Sequence, residues 1–146
     1  MRFLKWVFCY GVSDCLYLSN QCLSGVSLDI NSHAIQALQV LRQQEKFIED
    51  KQLFYSGAPD EATRKKVEAI INKTLYFLIA AKSEQFTEAQ FWAVLEFVAS
   101  QFASMDSEEM DRALGYMEQM MQIVGIESSQ GRLNEWRYRF DPEVLW

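Results

Sequence analysis

Two groups of side chains in this sequence could do chemistry, a set of cysteines and a run of carboxylates. The three cysteines, Cys9, Cys15 and Cys22, lie near the N-terminus and contain no C-x-x-C pair. A structural zinc site normally needs four closely spaced ligands, and His33 is the single histidine. We therefore predict free thiols in a reducing compartment and no metal site.

The carboxylate run consists of Asp106, Glu108, Glu109 and Asp111. A di-metal site on helices needs Glu-x-x-His pairs, and no histidine lies near this run in the sequence. Asp106 and Glu109 have the spacing of a capping box, and negative charge is favourable in the first turn of a helix. We interpret the run chiefly as a helix start, with a contact to a basic partner protein as the functional hypothesis.

Catalytic and cofactor motifs are missing from the sequence. It contains no G-x-S-x-G elbow, no phosphate-binding loop and no G-x-G-x-x-G turn. We therefore predict that the protein is not an enzyme and has no catalytic residues and no cofactor. The net charge of −6 argues against nucleic acid as a partner, because phosphate binding draws its affinity from Lys and Arg.

Helical spacing of apolar residues predicts two long helices in the first half of the chain. Asn31 or Ser32 can cap the first, whose apolar residues recur with helical period: Ala34, Ala37, Leu38, Leu41 and Ile48. After a break at 55–59, the second is predicted from Pro59 to Lys82, with Pro59 in its first turn. Its second half, Leu75 to Ala81, is apolar all round, which predicts a central position.

Two further helices are predicted behind capping signals. Thr87 with Gln90 matches a capping box. The helix that follows it carries one apolar face: Phe91, Leu95, Val98 and Phe102. The fourth helix, which ends at Gly125, carries a stripe rich in methionine that we interpret as core: Met110, Ala113, Leu114, Met117, Met121 and Val124.

The C-terminal tail alternates aromatic and basic residues over 136–140. It is either a short strand or a turn of helix whose aromatic side chains clamp the bundle, with Trp136 buried. In an acidic chain, arginines among aromatics are better explained by packing within the protein than by stacking on nucleic-acid bases. The predicted fold is all-α, a bundle of about four main helices with this short tail packed on it.

Residues 1–30 are predicted to form a separate N-terminal stretch before a single helical domain at 31–146. Arg2 and Lys5 precede an apolar run, as in a signal peptide, but Asp14 interrupts that run and no Ala-x-Ala-like cleavage site follows. No apolar stretch approaches the length of about 18 residues that a membrane span requires. We therefore expect no membrane span, and a cytoplasmic protein rather than one exported by a leader.

Two short segments resemble a known family. They are 125–136, read as GIESSQGRLNEW and continuing to Phe140-Asp141-Pro142, and the turn at 54–59, read as FYSGAP. Together they resemble a family of small bacterial helical proteins to which no function is assigned, over roughly Ala34 to Pro142. The resemblance implies no activity and no catalytic residues.

Three functions are compatible with these features. The leading hypothesis is a non-catalytic interaction protein, a small acidic inhibitor of the immunity type that neutralises a basic toxin or enzyme through Asp106, Glu108, Glu109 and Asp111. The second is a regulatory or scaffold module that holds a peptide or helix in an apolar groove. The third is an enzyme whose site residues are scattered along the chain.

Overall fold

The computed structural model describes residues 26–81 and 85–139 of the 146-residue chain. Within those residues the protein is all-α, as predicted, with five helices. They are α1 (Ser32–Gln43), α2 (Glu61–Ala80), α3 (Glu88–Gln101), α4 (Ser107–Ile123) and α5 (Arg132–Arg139). The cysteines and Phe140 lie outside the described residues.

Polar side chains cap the first three helices. Asn31 Oδ1 accepts from the Ala34 amide at 2.9 Å, as predicted for the start of α1. The capping box of Thr87 and Gln90 at the start of α3 is also confirmed. The predicted start of α2 was wrong by two residues, since Asp60 caps the helix by accepting from the Thr63 amide and Pro59 precedes that cap.

Helices α1 to α4 supply most of the core, and α4 packs against each of the other helices. The apolar faces predicted for α3 and α4 are buried, and Met110, Met117, Met120 and Met121 are all core residues. The position predicted for the second half of α2 is only partly right, because Tyr76 is 61% exposed and carries the Arg42 guanidinium over its ring. Ile48, predicted on the stripe of α1, lies beyond the end of that helix and is exposed.

An extended segment before α1 packs against the start of α3. Ser27 and Thr87 form an antiparallel bridge, and the Leu28 amide donates to the Phe86 carbonyl at 2.9 Å. Leu28 and Ile30 are buried in the core. The segment therefore adds apolar side chains to the bundle at the edge where α1 begins.

The described part of the C-terminal tail, 136–139, is helical and packs on α3 and α4. Trp136 is buried, as predicted, and its ring meets the edge of Trp92 at 6.1 Å between centroids. The arginines on either side of Tyr138 form ion pairs with the bundle, Arg137 with Asp111 and Arg139 with Glu96. No helix within 26–81 and 85–139 is long and apolar enough to cross a membrane.

Candidate docking hairpin

The connection between α1 and α2 contains a short hairpin, residues 48–55, which we call the docking hairpin. Its arms pair at Asp50 and Tyr55, whose amides donate to each other's carbonyls at 2.8 and 3.0 Å. Asp50 Oδ1 also accepts from the Gln52 amide at 3.0 Å, a local bond of the kind that favours turns. Residues 51–54 therefore form a closed tip.

Phe47 anchors the base of the hairpin inside the bundle. Its side chain is fully buried and stacks on Phe102 at 5.9 Å, although its backbone is left-handed with φ of 58°. The Phe47 amide donates to the Tyr116 hydroxyl at 3.2 Å, and its carbonyl accepts from the Ala58 amide at 3.0 Å. A left-handed aromatic residue is an uncommon conformation that persists only where its surroundings hold it.

Lys46, next to this anchor, is fully buried. Its ammonium group donates to the carbonyls of Gln44 at 2.7 Å and Arg42 at 3.3 Å, which satisfies acceptors at the end of α1. Its amide donates to Glu68 on α2 at 2.7 Å. Burial lowers the pKa of Lys46, with the negative charge of Glu68 opposing that effect.

Gly57, which follows the second arm of the hairpin, packs closely against the first arm at its base. Its φ of +91° lies in the left-handed region, and a Cβ there would approach the Glu49 amide nitrogen to 3.2 Å. Only glycine meets both conditions without strain.

Four polar residues, which we call the brace, join the hairpin to α4. Tyr55 donates its hydroxyl to Glu109 at 3.1 Å, and Arg112 pairs with Asp50 at 3.2 Å. The Arg112 guanidinium also lies over the rings of Tyr55, at 5.7 Å, and Tyr116, at 5.0 Å. Burial, together with the charge of Glu109, raises the pKa of the Tyr55 hydroxyl.

The tip of the hairpin presents two apolar side chains to solvent, Leu53 and Phe54. They are 63% and 95% exposed, and Phe54 has a left-handed φ of 53°. Ile48 on the first arm is exposed as well. An almost fully exposed phenylalanine in an unfavourable backbone conformation, on a loop anchored at its base, is a feature that core packing does not explain.

The carboxylates predicted to contact a partner are divided by the fold. Glu109 is buried and belongs to the brace, and Asp111 is paired with Arg137. Asp106, the residue before α4, and Glu108 in its first turn are exposed. The predicted capping box was wrong, because Asp106 makes no side-chain bond to the helix start and Glu109 turns inward to Tyr55.

Two other kinds of ligand site, a metal site and an apolar groove, have less support among the described residues. In the described part of the chain, no three His, Cys, Asp or Glu side chains are grouped to hold a metal ion. A groove of about 700 Å³ lies between the extended segment before α1 and the end of α4. Its lining includes Asp29, Glu88 and Glu127, so it is not the continuous apolar surface that a helix-binding module requires.

The docking hairpin was not identified from the sequence, where 55–59 was interpreted only as a break between helices. One signal was present, the apolar pair Leu53-Phe54 between polar neighbours in a connection that belongs to no helix. The brace gave no signal, because Glu109 and Arg112 follow Tyr55 by more than 50 residues and meet it only in the fold.

The fold and this site define a small helical-bundle protein that presents an anchored, apolar-tipped hairpin. The chain belongs to the family of the domain of unknown function DUF4844, which matches residues 29–141 and confirms membership of a family without an assigned function. It is similar to the crystal structure of a DUF3571 family protein from Acinetobacter baumannii AYE, with 32% identity and a TM-score of 0.63. That similarity covers 73% of this chain and 89% of the other. No curated protein is significantly similar to this chain.

Proposed function

We propose that this protein is a non-catalytic binding protein whose docking hairpin inserts Leu53 and Phe54 into an apolar pocket on a protein partner. The observation that carries the proposal is Phe54, which is 95% exposed on a tip whose base is anchored in the core. Large aromatic side chains that fill a partner's pocket supply much of the energy of protein interfaces.

The hairpin is suited to binding because its conformation is set before the partner arrives. Backbone bonds close it at Asp50 and Tyr55, and the brace joins both residues to α4. A loop that is already ordered loses less conformational entropy on binding than a loop that must be ordered by its partner.

Exposed carboxylates beside the hairpin indicate the charge of the partner. Asp106 and Glu108 are exposed at the start of α4, where Glu109 is bonded to the hairpin through Tyr55. Glu49 is exposed on the first arm. A partner with basic residues around its apolar pocket would complement this edge, and such charges mainly accelerate association.

The more specific form of the proposal is a small acidic inhibitor of the immunity type. In that form the tip occupies a pocket of a basic toxin or enzyme and blocks it. The net charge of −6, the exposed pair Asp106 and Glu108, and the anchored apolar tip support this form.

A site-specific photo-crosslink tests the proposal. Phe54 is replaced in the full chain by p-benzoylphenylalanine, and Phe97, an exposed phenylalanine on α3, is replaced in the same way as the matched control. We expect one discrete adduct from position 54 in cells of the source organism, identified by mass spectrometry, and none from position 97. Equal adducts from both positions would contradict a docking role for the hairpin.

The identified partner then allows the binding energy to be measured. Phe54→Ala should weaken binding by about 2 kcal/mol or more, as for an interface hot spot, and Phe97→Ala should leave it unchanged. If the partner is an enzyme or toxin, the wild-type protein should suppress its activity and Phe54→Ala should not. Unchanged affinity in Phe54→Ala would exclude the hairpin as the docking site.

Charge reversal tests the basic partner separately. Asp106→Lys with Glu108→Lys should slow association, and added salt should reduce the difference from wild type. Glu118→Lys, an exposed carboxylate in the second half of the same helix, is the control. Equal association rates for both reversals would rule out a basic edge on the partner.

A further inference from the structure

Two charged residues of the brace, Glu109 and Arg112, are largely withdrawn from solvent, and this lowers the net stabilisation that their contacts can supply. Glu109 is only 4% exposed and Arg112 has a side-chain exposure of 17%. Buried charged groups lose hydration free energy that their partners often do not fully replace. Well-packed apolar residues at such positions frequently give the same or a greater stability of the fold. Stability alone therefore does not account for these four residues.

We propose that Asp50, Tyr55, Glu109 and Arg112 are positioning residues that hold the docking hairpin in its binding conformation. This inference rests on the proposed function for its consequence in binding, but its structural part concerns the hairpin alone. Within the brace, Glu109 and Arg112 on α4 contact Tyr55 and Asp50, the two residues whose backbone bonds close the hairpin.

The geometry gives each arm of the hairpin its own tie to α4. Asp50 on the first arm is held by the Arg112 guanidinium, and Tyr55 on the second arm is held by the Glu109 carboxylate. Glu109 and Arg112 are three residues apart and so lie on the same face of α4. The Arg112 side chain also packs over the Tyr55 ring, which ties the two arms together.

The brace differs from the anchor at Phe47. Phe47 and Lys46 fix where the chain enters the hairpin. In the brace, Glu109 and Arg112 instead hold Tyr55 and Asp50, immediately beside the tip residues 51–54. Loss of the brace should therefore release the tip while the base remains folded. Directional hydrogen bonds and ion pairs suit this task, because they specify an orientation that apolar contact leaves open.

Residue-resolved amide hydrogen exchange of the full chain tests the structural part without a partner. Tyr55→Phe removes only the hydroxyl oxygen that bonds Glu109. We expect exchange of the Asp50 and Tyr55 amides to accelerate at least about tenfold, the factor for one lost interaction of ordinary strength, with no change in α2 or α3. As a single substitution, Glu109→Gln keeps an oxygen acceptor for the Tyr55 hydroxyl and should retain most of the protection, whereas Glu109→Leu should lose it.

Two controls separate positioning from a general loss of stability. Tyr76→Phe makes the same chemical change at an exposed site on α2 and should leave all amides unchanged. Val98→Ala removes core volume outside the brace and should accelerate exchange across the bundle rather than at the hairpin alone. The inference is overturned if Tyr55→Phe leaves both hairpin amides protected, or if its exchange pattern matches that of Val98→Ala.

The crosslink at position 54 then links the brace to binding. If the hairpin docks a partner, Tyr55→Phe should reduce the yield of the adduct several-fold, and Glu109→Gln should retain it. If no variant forms an adduct and the exchange result is as expected, the proposed function is contradicted, whereas the positioning role of the brace is still supported. If Tyr55→Phe forms as much adduct as the wild type and its hairpin amides stay protected, the positioning role of the brace is contradicted, whereas the proposed function is still supported.

Discussion

Helix α4 packs against two regions that are held by different interactions. Towards the bundle core it contributes Met117, Met120 and Met121, whose contacts are apolar and tolerate changes of shape. Towards the docking hairpin and its base it contributes Glu109, Arg112 and Tyr116, whose contacts are hydrogen bonds, an ion pair and a cation–π contact. One helix thus serves a region built for stability and a region built for orientation.

The difference also holds for the backbone. The core consists of helices whose residues adopt ordinary conformations, whereas the hairpin and its base contain left-handed Phe47, Phe54 and Gly57. Such conformations reduce stability and are retained where a particular chain path is needed. The comparison therefore predicts large, global effects of substitutions in the core and smaller, local effects in the hairpin.

The largest effect is expected at Trp136, where the tail meets the core. Trp136→Ala should lower the free energy of unfolding by about 3–5 kcal/mol, because it empties a buried site against Trp92. Urea denaturation measures this value, with Tyr138→Ala on the exposed side of α5 as the control at about 0.5 kcal/mol. A loss below that of the control would show that the tail is not part of the core.

A smaller effect is expected at the base of the hairpin. Gly57→Ala should cost roughly 2–3 kcal/mol, because the new Cβ meets the Glu49 amide in addition to the left-handed strain. Gly125→Ala is the matched control, since Gly125 is also left-handed, with φ of +85°, but faces open space. It should cost about 1 kcal/mol. Equal losses in thermal unfolding would mean that the hairpin base yields to the added methyl group.

The smallest effect, and the one with a distinctive pH dependence, is expected for Tyr55→Phe. At neutral pH the substitution should cost about 1–2 kcal/mol, because Glu109 loses a buried hydrogen-bond donor. The pKa of Tyr55 is raised in the folded protein, so above its ordinary value of 10.0 the unfolded chain loses the proton first. The difference in the free energy of unfolding between the wild type and Tyr55→Phe should therefore decrease as pH rises above about 10.

Lys46 also makes the free energy of unfolding depend on pH. The prediction for Tyr55 is therefore tested on the difference in that free energy between the wild type and Tyr55→Phe. The pKa of Lys46 is lowered, so its own contribution changes with pH in the opposite sense, towards greater stability as pH rises. Both proteins contain Lys46, and its contribution cancels in the comparison. A difference that stays constant from neutral to alkaline pH would show that the Tyr55 hydroxyl is not shielded by the brace.

Much of the bundle could be predicted from local sequence. The box at Thr87 and Gln90, the cap at Asn31, the stop at Gly125 and the buried faces of α3 and α4 all follow from residues within a few positions of one another. Helix periodicity and capping are short-range effects, and the sequence displays them directly. At the brace, prediction was wrong because a short-range pattern had a stronger long-range competitor.

Glu109 is the clearest such case. Its spacing from Asp106 satisfies the capping box, but Tyr55 offers a buried hydroxyl from a distant part of the chain, and the side chain turns inward to it. Asp111 was predicted together with Glu109 and pairs instead with Arg137 on α5. Four carboxylates that are neighbours in sequence therefore have three different surroundings.

By itself the sequence determined that the described chain forms amphipathic helices, where most of them begin and end, and which of their faces are buried, because these properties depend on period and on neighbouring residues. Only the tertiary structure decided that the connection after α1 is an anchored hairpin with Phe54 exposed at its tip. Its conformation depends on bonds between Tyr55 and Glu109 and between Asp50 and Arg112, more than 50 residues apart. Contacts of that separation are set by how helices pack, and no local pattern in the sequence encodes them.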